Sequence, residues 1–138
     1  MGTSKTEIAN ALLPKLSPFQ SVGDRQLQAV NYIYSDGSLD RVLLDFGAML
    51  VLIKADERDD TIDFEITETV DLHNTHVVDV GHQEPWQNFI GRSFGWGWAI
   101  VSQQGYCDGL LLSFDGLSPR LILNVVASSI KVGLIEWT

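Results

Sequence analysis

A chain of 138 residues, 45% hydrophobic and 20% charged, has the size of one ordinary domain and the composition of a globular one, which excludes a disordered polypeptide and leaves no room for two full domains. Its net charge of −9, from 18 acidic against 9 basic residues, argues against nucleic acid and anionic membrane surfaces, both of which need clustered Lys and Arg. The same charge favours solubility and leaves a cation or a basic protein as admissible partners.

Cys107 is the single cysteine, so no intramolecular disulfide forms, as suits a reducing compartment. The first residues lack the basic stretch and apolar core of a secretory signal. The longest apolar run, Ala48–Ile53, is far short of a membrane span. A cytoplasmic protein is the expectation.

Residues 1–5 read as a flexible leader. Ser4 and Glu7 match a capping box, and Ile8, Leu12 and Leu13 recur near helical spacing, so a short helix is expected over residues 6–17, limited by Pro14 and Pro18. From Leu27 the apolar period becomes two. Leu27–Tyr34, Leu39–Phe46, Ala48–Ala55 and Thr61–Thr67 read as strands of a first meander, residues 26–67, with turns at Asp36-Gly37 and Asp56–Asp60. Ile62, Phe64 and Ile66 alternate with Asp63 and Glu65, so one face of that strand meets water. Residues 68–92 carry no clear period and read as an irregular connection, with a short helix near Glu84–Ile90 opened by Pro85.

A second meander is expected over residues 93–138: Phe94–Val101, Tyr106–Phe114, Arg120–Val126 and Ala127–Trp137. Simple alternation places Phe94, Trp96, Trp98 and Ile100 on one face and Gly95, Gly97 and Ala99 on the other. The bare glycine face predicts that something packs closely against it. Tyr34-Ser35-Asp36-Gly37 echoes Tyr106-Cys107-Asp108-Gly109, although shared turn chemistry accounts for such a match. The fold class is α+β, with about eight antiparallel strands in a strongly bent sheet or two packed meanders, and a short N-terminal helix.

Three groups invite chemistry. His73, His76, Asp79 and His82 are ordinary ligands for a divalent metal, but their spacing joins them only if the segment loops. The plainer reading is a set of surface histidines. The stretch Asp56–Asp71, with Asp59 and Asp60 at its turn, is either the wet face of an amphipathic strand or a negative surface for a basic protein. The aromatic set Trp86, Trp96, Trp98 and Tyr106, with Asp108 beside it, is core by default and an interface anchor where exposed. Ser113 and Ser128 lack a G-x-S-x-G setting, Cys107 sits beside Asp108, and no glycine loop opens a helix, so neither nucleophilic catalysis nor nucleotide binding is indicated.

Ile90-Gly91, Trp96-Gly97-Trp98 and Gly105-Tyr106-Cys107-Asp108 together resemble the central motif of a family of small bacterial domains of unknown function. The resemblance spans residues 25–137 and is most specific over 86–116. Size and composition are similar to those of cytoplasmic immunity proteins of bacterial toxin systems.

Three readings follow. The first is a non-catalytic protein-interaction domain, immunity-like or regulatory, meeting an unidentified and basic protein partner through the acidic strand and the aromatics. The second is a metal-binding protein or metal-dependent enzyme built on the histidine segment. The third is a small-molecule binder with a pocket between the Trp96/Trp98 face and the helix. No other cofactor is implied. Strands that are apolar on both faces make a homodimer compatible with the pattern.

Overall fold

The computed structural model describes residues 14–56 and 58–136. The leader and most of the expected 6–17 helix lie outside them. The described helix, α1, is Ser17–Ser21 with Pro18 in its first turn, and so begins where the expected one was to end. Nine strands follow: β1 (Ala29–Ser35), β2 (Ser38–Asp45), β3 (Leu50–Asp56), β4 (Thr61–Thr67), β5 (His76–Asp79), β6 (Phe94–Val101), β7 (Cys107–Phe114), β8 (Leu121–Val126) and β9 (Ser129–Leu134). A single 3-10 turn, Trp86–Asn88, stands where the short helix after Pro85 was expected. The fold is mainly antiparallel β, and α+β describes it only loosely.

The strands form a five-stranded sheet, β4-β3-β2-β1-β5, and a four-stranded sheet, β6-β7-β8-β9. β9 lies against β2 and β3, while β7 and β8 lie against β4. The alternation seen in sequence does this work. Val30, Val42, Leu44, Val51, Ile53, Ile62 and Phe64 point from the first sheet into one cluster with Leu110, Leu112, Leu121, Leu123 and Ile130 from the second. Burial of each such side chain is worth about 1.5–3 kcal/mol, which makes this cluster the main source of stability. Phe94 sits among Phe19, Phe46 and Phe114, with ring centroids 5.6, 5.8 and 5.6 Å away.

β5 was not expected, since residues 68–92 read as irregular. Its burial pattern is nearly all exposed, so it carries little of the alternation that marks a strand. It pairs with β1, Tyr32 opposite Val78 and Tyr34 opposite His76. β4 and β5 occupy opposite edges of their sheet, so the connection between them crosses the whole face, roughly 19 Å at the usual strand spacing. It crosses on the outer side. Arg41, which alternates with the core residue Val42, donates from Nη1 to the Asp71 carbonyl at 2.7 Å. Ile33, paired with Arg41, is fully buried on that outer side.

The sequence echo is not a structural one. Asp36-Gly37 forms a turn, with φ of 52° and 80°, whereas Cys107-Asp108-Gly109 lies within β7.

Candidate interaction site

β6 departs from simple alternation. Phe94 stands opposite Phe114 and Gly97 opposite Leu112, with a register shift between them, so Gly95 and Trp96 together oppose Ser113. This β-bulge turns Phe94 inward, away from the tryptophans it was expected to accompany. Phe94 is 1% exposed and Trp96 57% exposed. The bulge also splits the expected glycine face: Gly97 and Ala99 point inward opposite Leu112 and Leu110, where a Cβ on Gly97 would lie 3.0 Å from the Phe19 ring of α1, whereas Gly95 lies against Ser113 and the Gly116 carbonyl. The tryptophans therefore face away from the helix, and the anticipated pocket between Trp96/Trp98 and the helix does not form among the described residues.

On the outer face of the second sheet, Trp98, Leu111, Ile122 and Gly133 stand in one register row across all four strands. Trp98, Leu111 and Ile122 are partly exposed. They alternate with the core residues Leu110, Leu112, Leu121 and Leu123, so this apolar row points outward.

At one end of the row lies a cleft of about 210 Å³, lined by Asp24, Ser93, Phe94, Gly95, Trp96, Asp115, Gly116 and Leu117. Leu117 is 67% exposed, and Leu117 and Trp96 are the two most exposed large hydrophobic side chains among the described residues. The cleft is rigidly built. Ser113, fully buried, accepts the Trp96 N–H at 2.7 Å and donates to the Gly116 carbonyl at 2.8 Å. Asp115 accepts the Ser93 N–H through Oδ1 and the Arg92 guanidinium through Oδ2, each at 3.0 Å. The Arg92 hydrogen bond, with that of Ser93 behind it, holds the Asp115 carboxyl below its ordinary value. The chain before β1 pairs with the start of β6: the Phe94 N–H donates to Arg25 O at 2.8 Å and the Asp24 N–H to Phe94 O at 3.0 Å. That pairing brings Asp24 to the cleft with a positive φ of 64°, which Asp tolerates better than most residues. No described side chain pairs with the Asp24 carboxylate.

The other expected site residues are dispersed. Trp86 is fully buried, and its indole N–H donates to the Tyr32 hydroxyl at 2.6 Å. It is a core residue and offers no binding surface. Burial raises the Tyr32 pKa. Tyr106 is 52% exposed but lies with Asp108 at the far end of β6 from Trp96. Asp59 and Asp60 are engaged in their own surroundings. Asp59 Oδ1 accepts the Thr61 hydroxyl at 2.6 Å. Asp60 Oδ1 accepts the Ser128 N–H at 2.8 Å and so ties the β3–β4 turn to the β8–β9 turn. Three of the five other described carboxylates of the acidic stretch are matched by cations: Asp56 with Arg58 at 2.9 Å, Asp63 with Lys15 at 3.8 Å and Glu65 with Lys54 at 3.5 Å. A larger concavity of about 500 Å³ around Lys15, Lys54 and Arg58 thus presents cations that already have partners.

His73 lies on the β4–β5 crossover, while His76 and Asp79 lie at the two ends of β5. His76 packs beside Tyr34, with ring centroids 6.3 Å apart. The Asp79 carboxylate accepts the Gly81 N–H at 2.9 Å, and His82 is exposed after it. Among the described residues, no three His, Cys, Asp or Glu side chains converge as a metal site would require. The Cys107 thiol is raised in pKa by burial first, with Asp108 a smaller contributor.

Ser113, Asp24, Asp115 and Leu117 were not singled out as site residues from sequence. The Gly95-x-Gly97 pair was the available signal, because a bulge next to a close backbone approach needs such a residue. A family model matches residues 13–138. The chain belongs to DUF6334, a family of unknown function. No match to it was found among the curated proteins or among the solved structures. Among the described residues, no helix is long and apolar enough to cross a membrane.

Proposed function

We propose that this DUF6334 chain is a non-catalytic protein-interaction domain that meets its partner with the outer face of the β6–β9 sheet and the Trp96 cleft. The observation that carries the reading is the pairing of Trp96 and Leu117, 57% and 67% exposed, across one preorganised cleft beside an apolar row. Exposed aromatic anchors in rigid surroundings are the usual centres of binding energy at interfaces. The acidic surface favours association with a basic partner over a neutral one. An immunity-like or regulatory role is the setting in which such a module acts.

The test is purification of the tagged chain from its native cell after mild cross-linking, beside a Trp96→Ala/Leu117→Ser variant and a Tyr106→Ser variant. A stoichiometric protein retained by the Tyr106 variant and lost by the cleft variant supports the reading. A partner lost only with Tyr106, or no partner at all, removes it. Elemental analysis of the same preparation tests the histidine segment, where a stoichiometric metal lost in His76→Ala would favour the metalloprotein reading instead.

A further inference from the structure

We propose that the Trp96 cleft takes a basic side chain, arginine foremost, presented by a separate basic protein, an inference that rests on the interaction reading above. The walls of the cleft differ in kind. Trp96 supplies an exposed indole, the best aromatic face for a cation. Leu117 supplies an apolar wall for the aliphatic stem of a long basic side chain. Asp24 supplies a carboxylate with no described partner, and Asp115 supplies a second whose oxygens each have further acceptor capacity beyond Ser93 and Arg92. With Arg92 counted against Asp115, Asp24 is the one lining carboxylate left unmatched, while Arg120 lines the neighbouring concavity with Arg92 and Asp115. Its volume of about 210 Å³ suits one side chain and is too small for a helix or a strand. A guanidinium is weakly hydrated, planar and able to stack on indole while its edge meets a carboxylate.

Charge also selects among occupants. A second copy of this chain would bring another net −9 toward a chain that already carries −9. A basic protein is drawn in by the same field, so complementarity favours a separate partner.

The test is a titration of the full chain, followed by the NMR shifts of the Trp96 indole N–H and the Gly116 amide. The titrants are acetyl-Gly-Arg-Gly-amide and its citrulline counterpart, which keeps the shape of arginine without its charge. The arginine peptide is expected to shift both signals with millimolar affinity and the citrulline peptide to bind at least about tenfold more weakly. Asp24→Asn should weaken arginine binding about three- to tenfold, with the rest of its spectrum unchanged, and Trp96→Leu should abolish it. Equal binding of the citrulline peptide, or undiminished arginine binding by Asp24→Asn, overturns the proposal. So does concentration-dependent self-association of the free chain that vanishes in Trp96→Leu, which would make a second copy the occupant. The two readings fail separately. A partner that needs Trp96 yet binds Asp24→Asn equally well overturns this inference and leaves the interaction reading standing. Arginine binding without any partner that depends on Trp96 does the opposite.

Discussion

Ser113 holds Trp96 from beneath: its buried hydroxyl accepts the Trp96 N–H at 2.7 Å while donating to Gly116 at 2.8 Å. One hydroxyl thus joins the β6 bulge to the turn after β7, and the most exposed tryptophan among the described residues rests on a fully buried polar group. Ser113→Ala removes the acceptor and leaves two backbone groups unsatisfied. The expected loss is about 1–3 kcal/mol, read as a lower urea midpoint with unchanged slope. A loss below about 0.5 kcal/mol would show that water replaces the hydroxyl and that the bulge does not depend on it.

The two glycines of β6 give a comparison in which the nature of the neighbour decides the outcome. A Cβ on Gly95 would collide with the Gly116 carbonyl oxygen and lie 2.5 Å from Ser113 Oγ. Backbone cannot yield without moving the turn. A Cβ on Gly97 meets the Phe19 ring at 3.0 Å, and a ring on a five-residue helix yields more easily. Gly95→Ala is therefore expected to cost about 2–3 kcal/mol and Gly97→Ala about 1 kcal/mol, both measured by urea unfolding. The reverse order would mean that Phe19, rather than the 115–117 turn, is the rigid element.

The strands of both meanders were legible because their side chains alternate and their turns carry Asp and Gly. Thr61–Thr67 shows it best: the expected strand and β4 coincide, with Ile62 and Phe64 buried and Asp63 and Glu65 exposed, although Ile66, expected inward with them, is 39% exposed near the strand end. What escaped was set by longer-range geometry. β5 is four mostly exposed residues paired with a strand more than forty positions earlier, a pairing that no local pattern encodes. The bulge at Gly95-Trp96 reverses the facing of Phe94, and period-two counting cannot register an inserted residue. The acidic run left open both a wet strand face and a negative docking surface, because sequence shows carboxylates and not their partners. Arg58, Lys54 and Lys15 match three of them, and Ser128 matches Asp60 from sixty-eight residues away. The cleft gathers Asp24, Trp96, Asp115 and Leu117 from three separate stretches, so only the fold assembles it.

The crossover between β4 and β5 is fastened to the outer face by the Arg41 guanidinium at the Asp71 carbonyl. The Arg41 side chain is 17% exposed, so the bond is shielded from water more than a surface contact is. Arg41→Ala should release the segment. Amide exchange of Leu72–Thr75 is expected to quicken well before global unfolding, with a stability loss of about 1.5 kcal/mol. Arg41→Lys should restore little, because the ammonium lacks the length and the planar fork. Unchanged exchange in Arg41→Ala would mean that contacts other than this hydrogen bond hold the crossover.

Two carboxylates with depressed pKa values give the fold an acid limit. Asp56 is lowered from 3.8 to about 2, chiefly by the Arg58 side-chain hydrogen bond. Asp115 is lowered by Arg92 and then by the Ser93 N–H. A carboxyl that is more acidic when folded contributes stability above its unfolded pKa and loses it as pH falls through the folded value. For Asp56 that window runs from pH 3.8 down to about 2. Stability should therefore fall across this range, less steeply in Asp56→Asn, and Asp115→Asn should likewise flatten the fall below the ordinary carboxyl pKa. Both groups are solvent-exposed, so added salt should shrink the difference between wild type and Asp56→Asn. Urea midpoints between pH 5 and pH 2, at two salt concentrations, check the point. A wild-type slope that Asp56→Asn leaves unchanged would show that the Arg58 pair survives in the unfolded chain, as its sequence separation of two residues permits, and that Asp115, pinned to Arg92 and Ser93 across the fold, sets the acid limit instead.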